Sequence, residues 1–277
     1  MSIAKENTGV TLIPLQFGLF WSGGPLSYLR YLTLVTLRKY HPKSKIELYV
    51  SSNYSDNVKW KFEKQDFQNI DENSKDYLDK VPDLNISILE FQSFEDFPPN
   101  YQSDFFRWWY LKNNGGFYLD LDQIIMKSFH SLPLENDFIF SMYPAQSCKI
   151  YAPVGVIGSK KNSLLLNEVY ELISKYEDLN SYNSLGPNMF KSVFTSKKWP
   201  EKLFNAPSSH FYPVHESYLV DGLYDGSVDL SSFKNTWACH WFGGSPKSQE
   251  FNKKYTEEFA KTSDDSISSF LRTKGII

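Results

Sequence analysis

The segment Ser103–Asp122, SDFFRWWYLKNNGGFYLDLD, gathers groups able to do chemistry. In Phe117–Asp122 the aromatic and apolar residues suit a strand, so Asp120 and Asp122, two positions apart, are expected on one face about 6–7 Å from each other. Paired carboxylates at the end of an apolar strand repel each other and resist desolvation, and a cation between them relieves both costs. Oxygen ligands of this kind favour a hard divalent ion, Mn²⁺ or Mg²⁺. Upstream, Asp104 and Arg107 are three apart on a segment that reads as a short helix, which places them on one helical face with about 5–6 Å between their Cβ atoms. Gly115-Gly116 is expected to close that helix in the left-handed conformation. Taken singly, the Asp/Arg pair reads as a surface salt bridge and the Asp-x-Asp as a solvated strand end. One tight turn apart, they read as a site.

The elements that must position these groups follow the pattern of an α/β sheet. Leu12–Trp21 is apolar and predicts a first strand ending in Trp21, before a turn at Ser22-Gly23-Gly24-Pro25. Ser27–Tyr40 predicts a helix through Tyr28, Leu32 and Val35, stopped by His41-Pro42, and Ile46–Val50 alternates as a strand. This is a βαβ opening of the kind that binds nucleotides. Asn85–Phe91 predicts another strand, and Phe94–Tyr101, with Pro98-Pro99, a loop leading into the central helix. The polar stretch 53–83 has a helical look around Val58–Phe67 and is read as an insertion over the site. Beyond Asp122, strands are expected at Phe138–Tyr143 and Val154–Gly158. A helix is expected from Asn162, as its cap, to Tyr176. The tail Gln249–Thr273 carries Phe251, Tyr255 and Phe259 at helical spacing and is expected to dock on the core. Its acidic residues Glu257, Glu258, Asp264 and Asp265, set among lysines, argue against a strong membrane-surface role.

Composition bounds the class. With 277 residues, 41% hydrophobic and 17% aromatic, the chain has ample material for a core, and a single domain is expected. A formal charge of −3 argues against a nucleic-acid binder that neutralises phosphates. Cys148 and Cys239 fit no metal or redox spacing, so reduced thiols and a cytoplasmic location are expected. The polar start and the lack of an apolar run near the ~20 residues of a membrane span point the same way.

Ser103, Asp104, Arg107, Gly115, Gly116, Tyr118, Asp120 and Asp122 together resemble the donor-site signature of GT-A glycosyltransferases that carry a DXD motif, in particular glycosyltransferase family 32, a signature shared with the glucosylating bacterial toxins. The resemblance implies a GT-A-type Rossmann-like α/β fold with a mixed central sheet flanked by helices. It implies a nucleotide-sugar donor half over residues 1–125, an acceptor half with completion of the metal site over 126–247, and a helical tail over 248–277. Trp21 inherits base stacking, against the alternative of plain core packing. Ser103, Tyr118 and Lys247 inherit donor contacts, Asp104 and Arg107 hold sugar hydroxyls or phosphate oxygens, and Asp120, Asp122 and His240 ligate the metal. Gly186-Pro187-Asn188 resembles the motif beside the acceptor cleft, His210–Val214 the short Phe-Tyr-Pro strand after it, and Thr236–Lys247 the His…Gly-Ser-x-Lys segment whose loop closes on the diphosphate. Pro246 stands where relatives often place Trp.

The implied activity is metal-dependent hexosyl transfer from a UDP- or GDP-sugar to a glycan, glycolipid or other hydroxyl acceptor, with retention at the anomeric carbon. Two alternatives belong to other classes. One is a nucleotide-sugar-binding module without turnover. The other is a haloacid-dehalogenase-type phosphatase with Asp120 as nucleophile, which needs a downstream Lys and an acidic pair on strand ends, whereas Asp264-Asp265 lies in the polar tail.

Overall fold

The computed structural model describes residues 11–22, 24–52, 75–92, 97–144, 150–173, 183–214 and 217–277. In chain order its main elements are β1 (Phe17–Trp21), α1 (Tyr28–Tyr40), β2 (Ile46–Ser51), β3 (Ser87–Phe91), α2 (Pro99–Asn114), β4 (Gly116–Leu119), β5 (Gln123–Ile125), β6 (Phe138–Phe140), β7 (Tyr143–Pro144), β8 (Ile150–Tyr151) and β9 (Val156–Ser159). These are followed by α3 (Leu164–Ile173), α4 (Met189–Ser196), β10 (Leu203–Asn205), α5 (Ser208–Phe211), α6 (Ser217–Asp225), β11 (Ala238–His240), α7 (Pro246–Lys254), α8 (Glu257–Thr262) and α9 (Ser266–Thr273).

Seven strands form one mixed sheet in the order β10-β6-β9-β4-β1-β2-β3. Neighbours run parallel from β3 through β2 and β1 to β4, and again from β6 to β10; β9 runs antiparallel to both of its neighbours. The C-terminal ends of β1 and β4 therefore share an edge with the N-terminal end of β9, the kind of crevice in which open α/β sheets bind ligands. One apolar cluster packs Phe17, Leu19, Leu34, Leu37 and Phe117, and a second packs Tyr101, Phe106, Trp108, Ile157, Leu165 and Phe190. In a third, Trp241, Phe251, Tyr255, Ile267, Phe270 and Leu271 meet Leu29 and Leu32 of α1, so the tail docks as expected.

Local sequence explains the helix ends. Ser27 caps α1 and Pro99 takes the first position of α2, where a missing N–H costs nothing. α2 thus begins inside the stretch expected as a loop. At its other end Gly115 has φ 69° but ψ −168°, so it is not the left-handed cap expected, and Gly116 follows at φ 89°. A Cβ at Gly116 would lie 2.5 Å from the Gln16 carbonyl, so only glycine lets the helix turn directly into β4 beside the start of β1.

Several expectations are corrected. β4 ends at Leu119, so Asp120 and Asp122 lie in a bend between β4 and β5 and not on one face of a strand. Asn162 sits at positive φ and the α3 cap is Ser163, whose Oγ accepts from Leu166 N. His210–Val214 is not a strand: its first residues close α5 and the rest is irregular. Lys247 does not end a loop, because Ser245 caps α7 and Pro246 opens it. Phe251 and Phe259 fall on two helices, α7 and α8, with Tyr255 between them, yet the three rings still pack together. The helix expected around Val58–Phe67, the end of the one expected to reach Tyr176, and Cys148 lie outside the described residues, as does Gly23.

Candidate active site

α2 delivers Ser103, Asp104 and Arg107 to the sheet edge. The pair is not on the surface: Asp104 and Arg107 are 5% and 4% exposed, with Arg107 Nη2 2.8 Å from Asp104 Oδ1. Arg107 Nη1 donates to the Val154 carbonyl at 2.6 Å, and Nη2 reaches Ser103 Oγ at 3.4 Å and stands 3.5 Å from Asp120 Oδ1. Its guanidinium lies over the Tyr118 ring at 4.7 Å. Tyr118 OH pairs with Ser103 Oγ at 2.8 Å and donates to Asp120 Oδ1 at 2.5 Å, which leaves Asp120 Oδ2 turned the other way.

The antiparallel pairing of β5 with β11 brings His240 to this bend. His240 registers opposite Gln123, and Trp241 N–H donates to the Asp122 carbonyl at 2.9 Å. His240 Nε2 then lies 3.1 Å from Asp122 Oδ1 and 4.0 Å from Asp120 Oδ2, and ligand atoms of all three residues fall within 4.8 Å of one another. Gly243 N–H holds Asp122 Oδ2 at 2.8 Å, while the buried Oδ1 has no hydrogen-bond partner. A Cβ at Gly155 would come within 2.7 Å of Asp120 Oδ2 and 3.2 Å of His240 Nε2, so a glycine keeps the flank of the cluster open. Two carboxylates and an imidazole with an orphaned oxygen facing inward fit a divalent cation.

The electrostatics are those of a buried charge network. Burial pushes Asp104 up to about 7, with Arg107 pulling the other way and Asp120 adding to the rise. Burial also opposes the charges on Arg107 and Asp122. Tyr118, Asp120 and Asp104 nevertheless raise the Arg107 pKa, and His240, Arg30 and the Gly243 N–H hold Asp122 below the usual carboxylate range.

These groups line a cavity of about 350 Å³. Of the residues singled out in the sequence, Trp21, Ser103, Asp104, Arg107, Asp120, Asp122, Pro187 and His240 border it. Tyr118 is fully buried behind it. Trp21 is 3% exposed, with its Nε1 donating to the Gly24 carbonyl. Gly186 packs on Asp104, where a Cβ would meet Oδ1 at 2.6 Å, and Asn188 is exposed. Lys247 is not brought to the cavity: it is exposed and pairs with Asp221. Sequence reasoning missed Arg30, Asn100, Tyr151 and Gly155, which also border the cavity. Only Arg30 left a signal, as the one charged residue among the buried positions of α1.

Residues 32–139 match the family described as the glycosyltransferase sugar-binding region containing DXD motif, a span that includes Asp104, Arg107, Asp120 and Asp122 but not His240. An uncharacterized glycosyltransferase of Acanthamoeba polyphaga mimivirus is 28% identical over 120 residues, 43% of this chain and 45% of that protein, so the match spans less than half of the relative's length. Among solved structures, the PaToxG glycosyltransferase aligns with a TM-score of 0.51 at 18% identity, covering 95% of this chain and 88% of that one. The glycosyltransferase GlyE of Streptococcus pneumoniae aligns at 0.50 and 10% identity, covering 95% and 64%. At such identities the likeness is one of fold. Residues 32–139 thus match a glycosyltransferase sugar-binding region containing DXD motif, and the mixed α/β sheet around them is similar in fold to the PaToxG and GlyE glycosyltransferases.

Proposed function

We propose that this protein is a metal-dependent hexosyltransferase that moves a sugar, with retention, from a UDP- or GDP-sugar to a hydroxyl of a glycan or glycolipid. The observation that carries the reading is the convergence of Asp120, Asp122 and His240 in the same cavity as Arg107 and Trp21, within a DXD-motif chain. Mn²⁺ or Mg²⁺ is the ion this donor set suits; when bound, it supplies positive charge against the departing diphosphate.

The chain's own residues have separable tasks. Tyr118, anchored on Ser103, fixes Asp120 by one oxygen and leaves the other for the cation. Asp104 and the Val154 carbonyl aim the Arg107 fork, which suits bidentate contact with phosphate or sugar oxygens. Trp21 is assigned to the base as part of the cavity wall, the residue being 3% exposed with the Arg30 guanidinium 5.0 Å from its ring centre. Gly186, Pro187 and Asn188 border the acceptor side, and Lys247 joins the donor only on release from Asp221. The retaining outcome rests on the resemblance to family 32, and no side chain is assigned as a nucleophile.

The test is nucleotide release from a panel of UDP- and GDP-sugars with Mn²⁺, beside a phosphatase assay. Release is expected to vanish in excess EDTA and return with added Mn²⁺, with no phosphate freed from phosphomonoesters. Full activity in EDTA would sink the metal dependence, tight binding without release would favour the module without turnover, and phosphate release would favour the phosphatase.

A further inference from the structure

We propose that Tyr151 of β8 is a specificity-determining residue for the transferred hexose, its phenol hydrogen-bonding one ring hydroxyl of the donor sugar. This rests on the nucleotide-sugar reading above. Three tyrosines, Tyr118, Tyr151 and Tyr212, lie close enough to Asp120 to feel its charge. Two of them have their hydroxyls engaged within the protein: Tyr118 OH is bound to Ser103 and Asp120, and Tyr212 OH accepts the Val156 N–H at 3.0 Å. Tyr151 differs from both. It borders the cavity and is only partly buried, and its hydroxyl makes no hydrogen bond among the described residues.

The ring is held in place from behind. Tyr151 pairs with Tyr143 across the β7–β8 ribbon, with ring centres 5.9 Å apart, and Tyr143 packs in turn on Tyr212 at 6.2 Å. A phenol fixed in this way loses little freedom on meeting a ligand. Burial pushes its pKa up to about 12, and Asp104 adds most among the charged groups, so the hydroxyl stays protonated in the company of a carboxylate. Asp104 borders the same cavity, and a donor beside an acceptor suits a sugar hydroxyl, which can take a proton from one and give its own to the other.

Strand order says which end of the donor arrives there. β1 neighbours β4, and β4 neighbours β9. Trp21, assigned to the base, ends β1, and the carboxylates assigned to the ion follow β4. A donor laid along this edge, with its base at β1 and its diphosphate at β4, brings its sugar to the segment entering β9. Tyr151, Pro153, Val154 and Gly155 of that segment border the cavity.

The experiment uses the whole protein and the best donor from a panel of UDP-glucose, UDP-galactose and GDP-mannose, together with monodeoxy analogues that each lack one ring hydroxyl. Tyr151→Phe keeps the ring and its contact with Tyr143, so the fold is retained. Its kcat/KM for donor hydrolysis with Mn²⁺ is expected to fall at least tenfold, while the affinity for the free nucleoside diphosphate, measured by isothermal titration, is unchanged. One monodeoxy donor should be at least tenfold poorer than its parent for the wild type, yet within about twofold of its parent for Tyr151→Phe, because the contact it lacks is already gone. Wild-type hydrolysis in Tyr151→Phe overturns the assignment and leaves the ring as wall or acceptor contact. An equal loss of nucleoside diphosphate affinity overturns it too, as does a loss that is the same for the parent and every monodeoxy donor. If the wild-type protein neither binds UDP or GDP nor hydrolyses any of the donors, the nucleotide-sugar reading falls and takes this one with it.

Discussion

Replacing Gly155 with alanine tests whether the Asp120–Asp122–His240 cluster is built around an absent side chain. The added methyl would lie 2.7 Å from Asp120 Oδ2 and 3.1 Å from the His240 ring, where ordinary contact begins at about 3.5 Å. Asp120 must then retreat by about 0.8 Å to restore ordinary contact. It has little freedom to do so, since Tyr118 holds its other oxygen at 2.5 Å and Arg107 stands 3.5 Å away. Such a shift exceeds the ~0.5 Å tolerance of a ligand constellation. Disturbing the support of a metal ligand typically lowers affinity about 10–100-fold, or about 1.4–2.7 kcal/mol. Gly155→Ala is therefore expected to lose that much Mn²⁺ affinity, read by electron paramagnetic resonance of the free ion, and to lose donor hydrolysis in proportion. The fold should survive, because the atoms the methyl meets end side chains that face a cavity. A variant that folds and binds Mn²⁺ like the wild type would refute the reasoning, since neither Asp120 Oδ2 nor His240 could then be a ligand.

Asp122→Asn fills the same volume without the charge and should abolish donor turnover with the circular dichroism spectrum unchanged; unchanged turnover would move the metal elsewhere. Arg107→Lys keeps the charge but not the planar fork that spans Asp104, Val154 and Ser103, so steady-state hydrolysis should fall at least tenfold, about 1.4 kcal/mol. Wild-type turnover would remove the α2 pair from the site. His41 is buried, accepts the Phe129 N–H, and has its pKa lowered from 6.5 to about 4 by burial and by His130 and Arg38. Between those values the unfolded chain takes up a proton that the folded one does not, so this group should cost stability as pH falls from 6.5 to 4, by about 3 kcal/mol in all. Asp104, raised to about 7, acts with the opposite sign, because the folded chain binds its proton more tightly. The His41 effect is thus read as the difference in urea denaturation between wild type and His41→Gln, and parallel pH profiles would refute it.

The sequence made the α2–β4 side of the candidate site legible because its signals are local. Asp104 and Arg107 share a helix, Gly115-Gly116 marks its end, and Asp120 and Asp122 follow within a few residues, so periodicity and spacing reach all of them. Strand alternation failed at Asp120 because β4 stops after four residues, and it is the bend that follows that turns both carboxylates toward His240. Lys247 stands apart from the cavity for a related reason: Ser245 and Pro246 start a helix where the motif suggested a loop, and a nearby Asp221 takes the ammonium. Gly155 was invisible because its role depends on which distant side chains come to lie against it.

The β5–β11 ribbon has a consequence for the order in which the protein is made. Gly243 grips Asp122 across 121 positions of sequence, and β11 pairs with β5 over nearly the same span. A chain emerging from the ribosome therefore carries both aspartates of the motif, already beside β4, while their imidazole partner is still unsynthesised. During that interval the two carboxylates stand without the imidazole, and on the proposed reading a divalent ion would find only two of its three side-chain ligands. The cluster is complete only when β11 is made and laid alongside β5, so on the proposed reading capture of the ion would be coupled to completion of the fold and not to formation of the motif.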